Sequence, residues 1–297
     1  MQLWCGPGGD CVEKLSSDGD TPVGETITVE RISTPSASRD RFPTPKDRRR
    51  TGSPRPHRAK VGIDMNTDLF IESLFSSLIS GDRHAARRMV DAATEHEISP
   101  QTLAREVFWP TINNITTLYR NDQMTQLAQQ YATRTLSGLI AQNQSRYEPK
   151  ASRNRSICMF CGPTELDDLA ARVIVDLLEA DGYDVTYGGG NIAHDDIMQE
   201  THERRPDILL MFSSGGSDAP GIRQLIDQIR GINAFPEMQI VVGGGIFNRA
   251  AGLAEEIGAD LWATGPDDLL EQLEEYPEVR SSLDDRTVGR GKATRAA

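Results

Sequence analysis

The 297-residue sequence lacks features that disulfide-rich, membrane-spanning and secreted proteins require. Its four cysteines are too few for a disulfide scaffold at this length, which indicates a reducing compartment. No apolar run reaches the roughly 20 residues of a membrane-spanning helix, and the first residues lack the apolar core of a signal peptide. We therefore expect a cytoplasmic protein without membrane contact.

Charge is unevenly distributed along the chain. The net charge is −12, yet residues 31–60 carry ten Lys and Arg against two Asp, so the remaining residues carry −20. An acidic body does not bind nucleic acid by neutralising phosphates. Direct nucleic-acid binding is therefore expected only through the basic segment.

Residues 1–64 contain a long segment that is almost free of aliphatic side chains. They include STPSASRDRFPTPKDRRRTGSPRPHRAK, which is rich in Pro, Ser and Arg. Such a segment buries no apolar face that would offset its conformational entropy, so we predict a disordered basic extension. Two alternatives stay open: translation begins at Met65, or the segment is an arm that binds DNA or an acidic partner.

Apolar residues at helical spacing occupy residues 66–145. They predict four helices with short connections, which is typical of an antiparallel bundle. Pro110 lies inside the third helix and is expected to kink it, because proline has no backbone N–H. The fourth helix is expected to bury Leu127, Tyr131, Leu136 and Ile140.

After Arg155 the pattern changes to short apolar runs that alternate with amphipathic helices. The strands are expected at 156–161, 183–188, 207–213, 238–243 and 260–264, and the helices at 166–181, 194–204, 217–231, 248–257 and 266–275. Five β/α units in residues 154–276 predict an α/β domain with a five-stranded parallel doubly wound sheet. Ligand chemistry in such a domain lies at the carboxyl ends of the strands. A disordered tail is predicted over residues 277–297.

Cys158 and Cys161 form a C-x-x-C pattern inside the first predicted strand. Residues three apart on a strand point to opposite faces, so the two thiols are not expected to share a metal or form a redox pair. Glycines cluster at the predicted carboxyl ends, at 188–190, 215–216 and 243–245. Glycine allows a large flat ligand to approach the backbone closely, although α/β loops are rich in glycine in any case.

Three segments within this order of elements resemble the cobalamin-binding module. They are SGDRHAARRMVDAATEHEISPQTLAREVFWPTINNITTLY in the bundle, and DLLEADGYDVTYGGGNI and VVGGGIFNRAAGLAEEIGAD in the α/β part. The resemblance covers about residues 66–275. It implies a helical cap over a flavodoxin-like domain with a corrinoid between them, as in methionine synthase, corrinoid methyltransferase proteins and light-sensing transcription regulators.

The resemblance also implies contacts of the sheet domain with the cofactor. The family's D-x-H-x-x-G loop, whose histidine coordinates cobalt from below, corresponds to residues 165–170, with Glu165 first and Asp167 in place of the histidine. Ser213 or Ser214 stands where a serine contacts the nucleotide tail. Gly243 and Gly244 stand where a double glycine accommodates that tail.

In the cap, the resemblance places Tyr119 where photoreceptors carry a tryptophan over the corrin. Gln129 and Gln130 then stand where the photoreceptors carry Glu-His. The side-chain amide of Gln130 does not ligate cobalt as the imidazole of that histidine does. Five histidines are available in all. His194, after the second strand, is the candidate axial metal ligand, and the alternative is a surface residue at a helix start.

Asp167 and Asp168 allow two further interpretations. Adjacent carboxylates at the end of a strand bind Mg²⁺ in receiver domains, but those carry a phosphoacceptor aspartate where this chain has Ser213 and Ser214. The preferred interpretation is that the two carboxylates stabilise the start of a helix by complementing its dipole.

Three outcomes stay open for the cofactor: cobalamin bound with its own benzimidazole attached, haem, or none. We expect a sensory or regulatory protein, and not an enzyme, that acts through a protein partner in transcriptional control. The alternatives are a cofactor-free interaction scaffold, for which a homodimer is an option, and a corrinoid carrier subunit in methyl transfer.

Overall fold

The computed structural model describes residues 67–281. The predicted extension over residues 1–64, with Cys5, Cys11 and His57, lies outside the described residues. So does the predicted tail after residue 281.

The bundle contains four helical stretches. The first two are α1 (Thr67–Ile79) and α2 (Arg83–Glu95). The third is continuous and consists of α3 (Pro100–Thr102), a π-helical segment (Leu103–Phe108) and α4 (Trp109–Arg120). The fourth is α5 (Gln126–Gln144). Polar side chains cap three of the starts, because Asp82, Ser99 and Thr125 accept backbone N–H groups of the first turns. The core of the bundle includes the fully buried Leu74, Phe108, Ile112 and Leu136.

Pro110 distorts the third helical stretch. It has no N–H to donate to the carbonyl of Glu106. The π-helical segment ends two residues before it, and the Trp109 N–H is bonded to the carbonyl of Ala104, five residues back. The prediction for the fourth helix was wrong at its start. Leu127 is 60% exposed and Tyr131 is 44% exposed, whereas Leu136 and Ile140 are buried.

The α/β domain contains a five-stranded parallel sheet. Its strands are β1 (Ser156–Cys161), β2 (Asp184–Gly190), β3 (Ile208–Phe212), β4 (Gln239–Gly243) and β5 (Leu261–Ala263), in the order β2-β1-β3-β4-β5. The helices are α6 (Glu165–Ala180), α7 (His194–Arg204), α8 (Ala219–Ile232), α9 (Gly245–Arg249), α10 (Leu253–Ile257) and α11 (Pro266–Glu275). This topology confirms the predicted doubly wound fold.

The two faces of the sheet have separate cores. Residues of α6 and α11 share one buried cluster with the bundle, so the bundle packs on that side. Residues of α7, α8 and α10 form the second cluster. Cys158 belongs to the second cluster and Cys161 packs against the first, which confirms that the two thiols point to opposite faces. Burial raises the pKa of each thiol to about 11, so both are protonated at neutral pH.

Two boundaries differ from the sequence prediction. The single helix predicted over 248–257 is split into α9 and α10, and Gly252 between them has φ +79°. The described chain also continues past residue 276, and the Ser281 N–H donates to Asp260 Oδ1 at 2.6 Å. Within residues 67–281, no helix combines the length and apolar character needed to cross a membrane.

Candidate functional site

Three loops meet at the carboxyl edge of the sheet. The N–H of Gly162, after β1, donates to Phe212 O at 2.8 Å, and the N–H of Ser213, after β3, donates to Gly243 O at 2.9 Å. The structure therefore brings together most of the site residues predicted in the α/β domain: Glu165, Asp167, Ser213, Ser214, Gly243 and Gly244.

Asp167 is buried at this edge and holds two loops together. It is 1% exposed. Ser214 donates its N–H (3.0 Å) and its hydroxyl (2.6 Å) to Asp167 Oδ1, and the Thr164 hydroxyl donates to Oδ2 at 2.6 Å. The Asp167 N–H donates in return to Thr164 Oγ1, so that Thr164 caps α6. Asp167 stands at the position of the family's coordinating histidine, and both of its carboxylate oxygens accept hydrogen bonds from this protein.

The backbone beside Asp167 has no room for a side chain. A Cβ at Gly162 would lie 2.6 Å from Asp167 Oδ2. The carboxylate thus packs directly on the chain that leaves β1. The Thr-x-x-Asp spacing from Thr164 to Asp167 is a helix-capping pattern that would have indicated this inward role.

Ser213 is engaged in the same way by a residue that the sequence analysis missed. Ser213 is 1% exposed, and its hydroxyl donates to Asp218 Oδ2 at 2.6 Å. Its oxygen also accepts the Gly215 N–H at 3.2 Å. Ser213 and Ser214 are the two candidates for the position at which the family's serine contacts the nucleotide tail. Each of them instead donates a hydrogen bond to a carboxylate of this protein.

Asp168 and Glu165 point toward other partners. Asp168 accepts the Tyr187 hydroxyl at 2.7 Å and pairs with Arg172 at 2.7 Å. Glu165 accepts the side-chain amide of Gln130, from α5 of the cap, at 3.3 Å. Within residues 67–281, no group of three or more His, Cys, Asp or Glu is arranged to hold a metal ion. The local geometry favours capping and loop contacts over Mg²⁺ binding for Asp167 and Asp168.

The end of α4 lies near α9, which contacts the loop after β3. Tyr119, one residue before the end of α4, is 39% exposed. Arg249 of α9 donates to Ser214 O at 2.6 Å, and burial together with the nearby Arg120 charge lowers its pKa. Gln129 instead turns into the bundle, where it is buried and donates to Thr133.

His194 lies on the other side of the sheet. It is the first residue of α7, and its Nε2 is 3.3 Å from the position that a Cβ on Gly221 of α8 would take. These helices cover the face opposite to the cap, whereas Gln130 and Tyr119 lie on the cap. The role of His194 as an axial ligand stays a prediction.

Trp109 is a second residue that the sequence analysis missed. Its indole meets Phe212 edge-on, with ring centroids 6.3 Å apart and planes at 70°, and its Nε1 is 3.4 Å from the Cβ position of Gly265. It lines a cavity of about 10 Å³ at the ends of β3, β4 and β5, closed by α6 and α11. The only sequence signal was an aromatic residue directly before the helix-distorting Pro110.

Two family models match the chain over these domains. One, described as B12 binding domain, matches residues 155–272, which form the sheet domain. Another of the same description matches residues 70–142, which form the bundle. The chain belongs to the cobalamin-binding module family. The bundle is thus the cap of a cobalamin-binding module, and the flavodoxin-like domain is its lower half.

Three solved structures are similar to this chain, and the first of them shares its overall fold. The monomethylamine corrinoid protein of Methanosarcina barkeri is 12% identical, with a TM-score of 0.62 over 70% of this chain and 99% of that chain. A cobalamin-binding protein from Desulfitobacterium hafniense DCB-2 is 15% identical, over 69% and 97%, with a TM-score of 0.38. The methanol:cobalamin methyltransferase complex of M. barkeri is 12% identical, over 73% and 83%, with a TM-score of 0.39. The first likeness confirms the fold. No curated protein matches the chain.

The residues of this cobalamin-binding module do not fit the family's histidine-ligated mode. Asp167 replaces the histidine and has both oxygens bonded within the protein. Ser213 and Ser214 are bonded to Asp218 and Asp167. The cavity beside Gly243 and Gly244, at about 10 Å³, is about the size of one water molecule. The hydroxyl groups of Ser213 and Ser214 are thus already engaged within the protein.

Proposed function

We propose that this protein is a non-enzymatic regulatory module that binds a corrinoid without a protein ligand from the β1 loop. In this proposal it acts through a protein partner that controls transcription. The observation that carries it is the engagement of Asp167 by Thr164 and Ser214, because it removes the lower axial ligand while keeping the fold intact. A cobalamin bound in this way retains its own benzimidazole on the cobalt.

The same observation weighs against a methyl carrier. The resemblance implies that carriers use the lower histidine to tune the cobalt, and Asp167 offers no imidazole. The likeness to the monomethylamine corrinoid protein, at 12% identity, supports the fold and not the reaction. A role in binding and signalling therefore agrees better with these residues than a role in catalysis.

The proposed corrinoid surface lies between the end of α4 and the glycine-rich edge of the sheet. Tyr119 is an exposed aromatic residue in the last turn of α4, and aromatic rings stack on flat conjugated ligands. Arg120 and Arg249 lie close by, at the loop that carries Ser214. Both arginines are available to bind the polar side groups of a corrinoid.

Replacing Tyr119 by alanine is expected to weaken corrinoid binding about 2- to 12-fold, since one stacking contact contributes about 0.5 to 1.5 kcal/mol. The measurement is an absorption titration of the full chain with hydroxocobalamin. Tyr276→Ala is the matched control, because Tyr276 is also 39% exposed but follows α11, where its carbonyl accepts from Gln239 at the start of β4. Equal affinities of the two variants would place the corrinoid elsewhere.

The binding proposal itself is tested by titrating the full chain with hydroxocobalamin and adenosylcobalamin in the dark, followed by gel filtration. We expect retained corrinoid with the spectrum of the benzimidazole-bound form. Haemin serves as the comparison, and a retained haem spectrum that is lost in His194→Ala would instead identify a haem protein.

A cofactor-free scaffold is the second candidate function. It is favoured by the direct contact of Gln130 of the cap with Glu165 of α6 and by the small size of the cavity beside Gly243. Failure to retain any corrinoid or haem would support it. The elution volume of the unliganded chain would then show whether a second copy is the partner.

The regulatory part of the proposal needs a partner measurement. We would recover the tagged full chain from its host grown with and without corrinoid. A transcription regulator that co-purifies in only one of the two conditions is the expected result. Recovery of a corrinoid methyltransferase would contradict it and restore the carrier interpretation.

A further inference from the structure

We propose that this protein recognises a corrinoid by its ring alone and excludes the nucleotide tail, with Trp109 as the residue that determines this specificity. The inference rests on the proposed corrinoid binding and names its ligand class. That class contains corrinoids without a nucleotide, such as cobinamides, and cobalamins whose benzimidazole stays on the cobalt.

The first argument is the space at the carboxyl ends of β3, β4 and β5. Here Leu210 and Phe212 of the sheet, Ile174 of α6 and Leu269 of α11 surround a cavity of only about 10 Å³. Pockets that hold small organic ligands are commonly about 300 Å³ or larger. The cavity is more than an order of magnitude below that range, so the packed side chains leave no room for a nucleotide.

Trp109 is the part of the cap that fills this space. Its indole packs edge-on against Phe212 at 6.3 Å and lies 3.4 Å from the Cβ position of Gly265. An indole and a benzimidazole are both fused rings of one five-membered and one six-membered ring. Trp109 thus supplies from the protein an aromatic group of the size that the tail would insert.

The polar groups at this edge are also occupied. Ser213 donates to Asp218, and Ser214 donates to Asp167, each at 2.6 Å. A tail entering the cavity would have to break one of these charge-assisted hydrogen bonds or remain unpaired in an apolar space. Both alternatives disfavour its entry.

The retained double glycine has a structural reason of its own. Gly244 has φ +106°, and a Cβ there would lie 2.2 Å from Ser213 O. The close approach of the β3 and β4 loops therefore requires glycine even without a ligand. The presence of Gly243-Gly244 in the sequence does not imply an open tail site.

The test compares two ligands that differ in the nucleotide tail. The full chain is titrated with cyanocobinamide and with cyanocobalamin, and binding is followed by absorption and by retention on gel filtration. We expect dissociation constants within about 3-fold of each other, because the tail makes no contact, which corresponds to less than about 0.7 kcal/mol. Bound cobalamin is expected to keep its benzimidazole-bound spectrum.

The outcomes separate this inference from the proposed function. If cobalamin binds at least about 30-fold tighter than cobinamide, or changes to the spectrum without coordinated benzimidazole, the tail enters the protein and the inference is wrong while corrinoid binding stands. If neither corrinoid binds, the proposed function itself fails.

Variants of Trp109 test its part directly. Trp109→Ala removes the indole and is expected to shift the preference toward cobalamin by about 10-fold. Trp262→Ala is the matched control, because Trp262 is 37% exposed on β5, and it should leave the preference unchanged. Trp109→Phe keeps an aromatic side chain in the contact and should shift the preference less, which preserves the test if the alanine variant does not fold. An unchanged preference in folded Trp109 variants would overturn the assignment.

Discussion

Replacing Asp167 by alanine is expected to lower the free energy of unfolding by about 3 to 5 kcal/mol. The substitution removes the acceptor for the Ser214 N–H, the Ser214 hydroxyl and the Thr164 hydroxyl. Asp167 is 1% exposed, so water does not readily take its place. The loops after β1 and β3 would lose the group that joins them.

Urea denaturation followed by circular dichroism measures this effect. Asp196→Ala is the matched control, because Asp196 is also the third residue of its helix, α7, but is exposed. Its loss is expected to cost at most about 1 kcal/mol through the helix dipole. Equal costs for the two variants would show that Asp167 acts only through the dipole, as the sequence analysis preferred.

Replacing Asp176 by asparagine is expected to stabilise the protein by about 2 to 4 kcal/mol at pH 8 and to have little effect near pH 4. Asp176 lies in α6 and is 6% exposed. Burial, and then the charge of Glu179, raise its pKa from 3.8 to about 7, and Arg172 offsets only part of this. Burial and the negative charge of Asp176 both raise the pKa of Tyr147. Asp176 therefore lies near Tyr147, which is in the linker that follows the cap.

The direction follows from the raised pKa. Below about pH 4 the carboxyl group is protonated in the folded and the unfolded chain, so it imposes no penalty. As the pH rises from about 4 to about 7, only the unfolded chain readily releases the proton, and stability is lost. Above about pH 7 the loss is complete and constant, and asparagine, which does not ionise, avoids it.

Chemical denaturation of wild type and Asp176→Asn between pH 4 and pH 8 checks this prediction. Glu271→Gln, which changes an exposed carboxylate on α11, serves as the control. A pH-independent difference for Asp176→Asn would mean that the carboxyl group ionises in the folded protein as it does in the unfolded chain.

The elements of the fold were largely predictable because their signals are local. Helical periodicity predicted the bundle, and alternating strand-length and helical segments predicted the five β/α units in nearly their observed bounds. The errors fell where local signals are weak. Leu127 and Tyr131 were assigned to a buried face by spacing alone, and both are exposed in the structure. A single helix was predicted across Gly252, whose positive φ divides it.

The site was predictable only as a set of positions. Motif alignment placed Glu165, Asp167, Ser213, Ser214, Gly243 and Gly244 at one edge, where the structure has them. It did not indicate that the two serines bind carboxylates, because Asp167 and Ser214 are 47 residues apart and Asp218 belongs to no family motif. His194 follows β2 at the carboxyl edge, as its place in the sequence predicted, and the structure adds its contact with Gly221 of α8.

The sequence by itself determined the family, the two-domain order and the absence of the cobalt-coordinating histidine, since each of these depends on residue identity or on local periodicity. The tertiary structure decided what replaces the missing function. It turned Asp167 inward to hold two loops, and it brought Trp109 of the cap against Phe212 of the sheet domain. These contacts join residues that are distant in the chain, so their geometry depends on how cap and sheet pack.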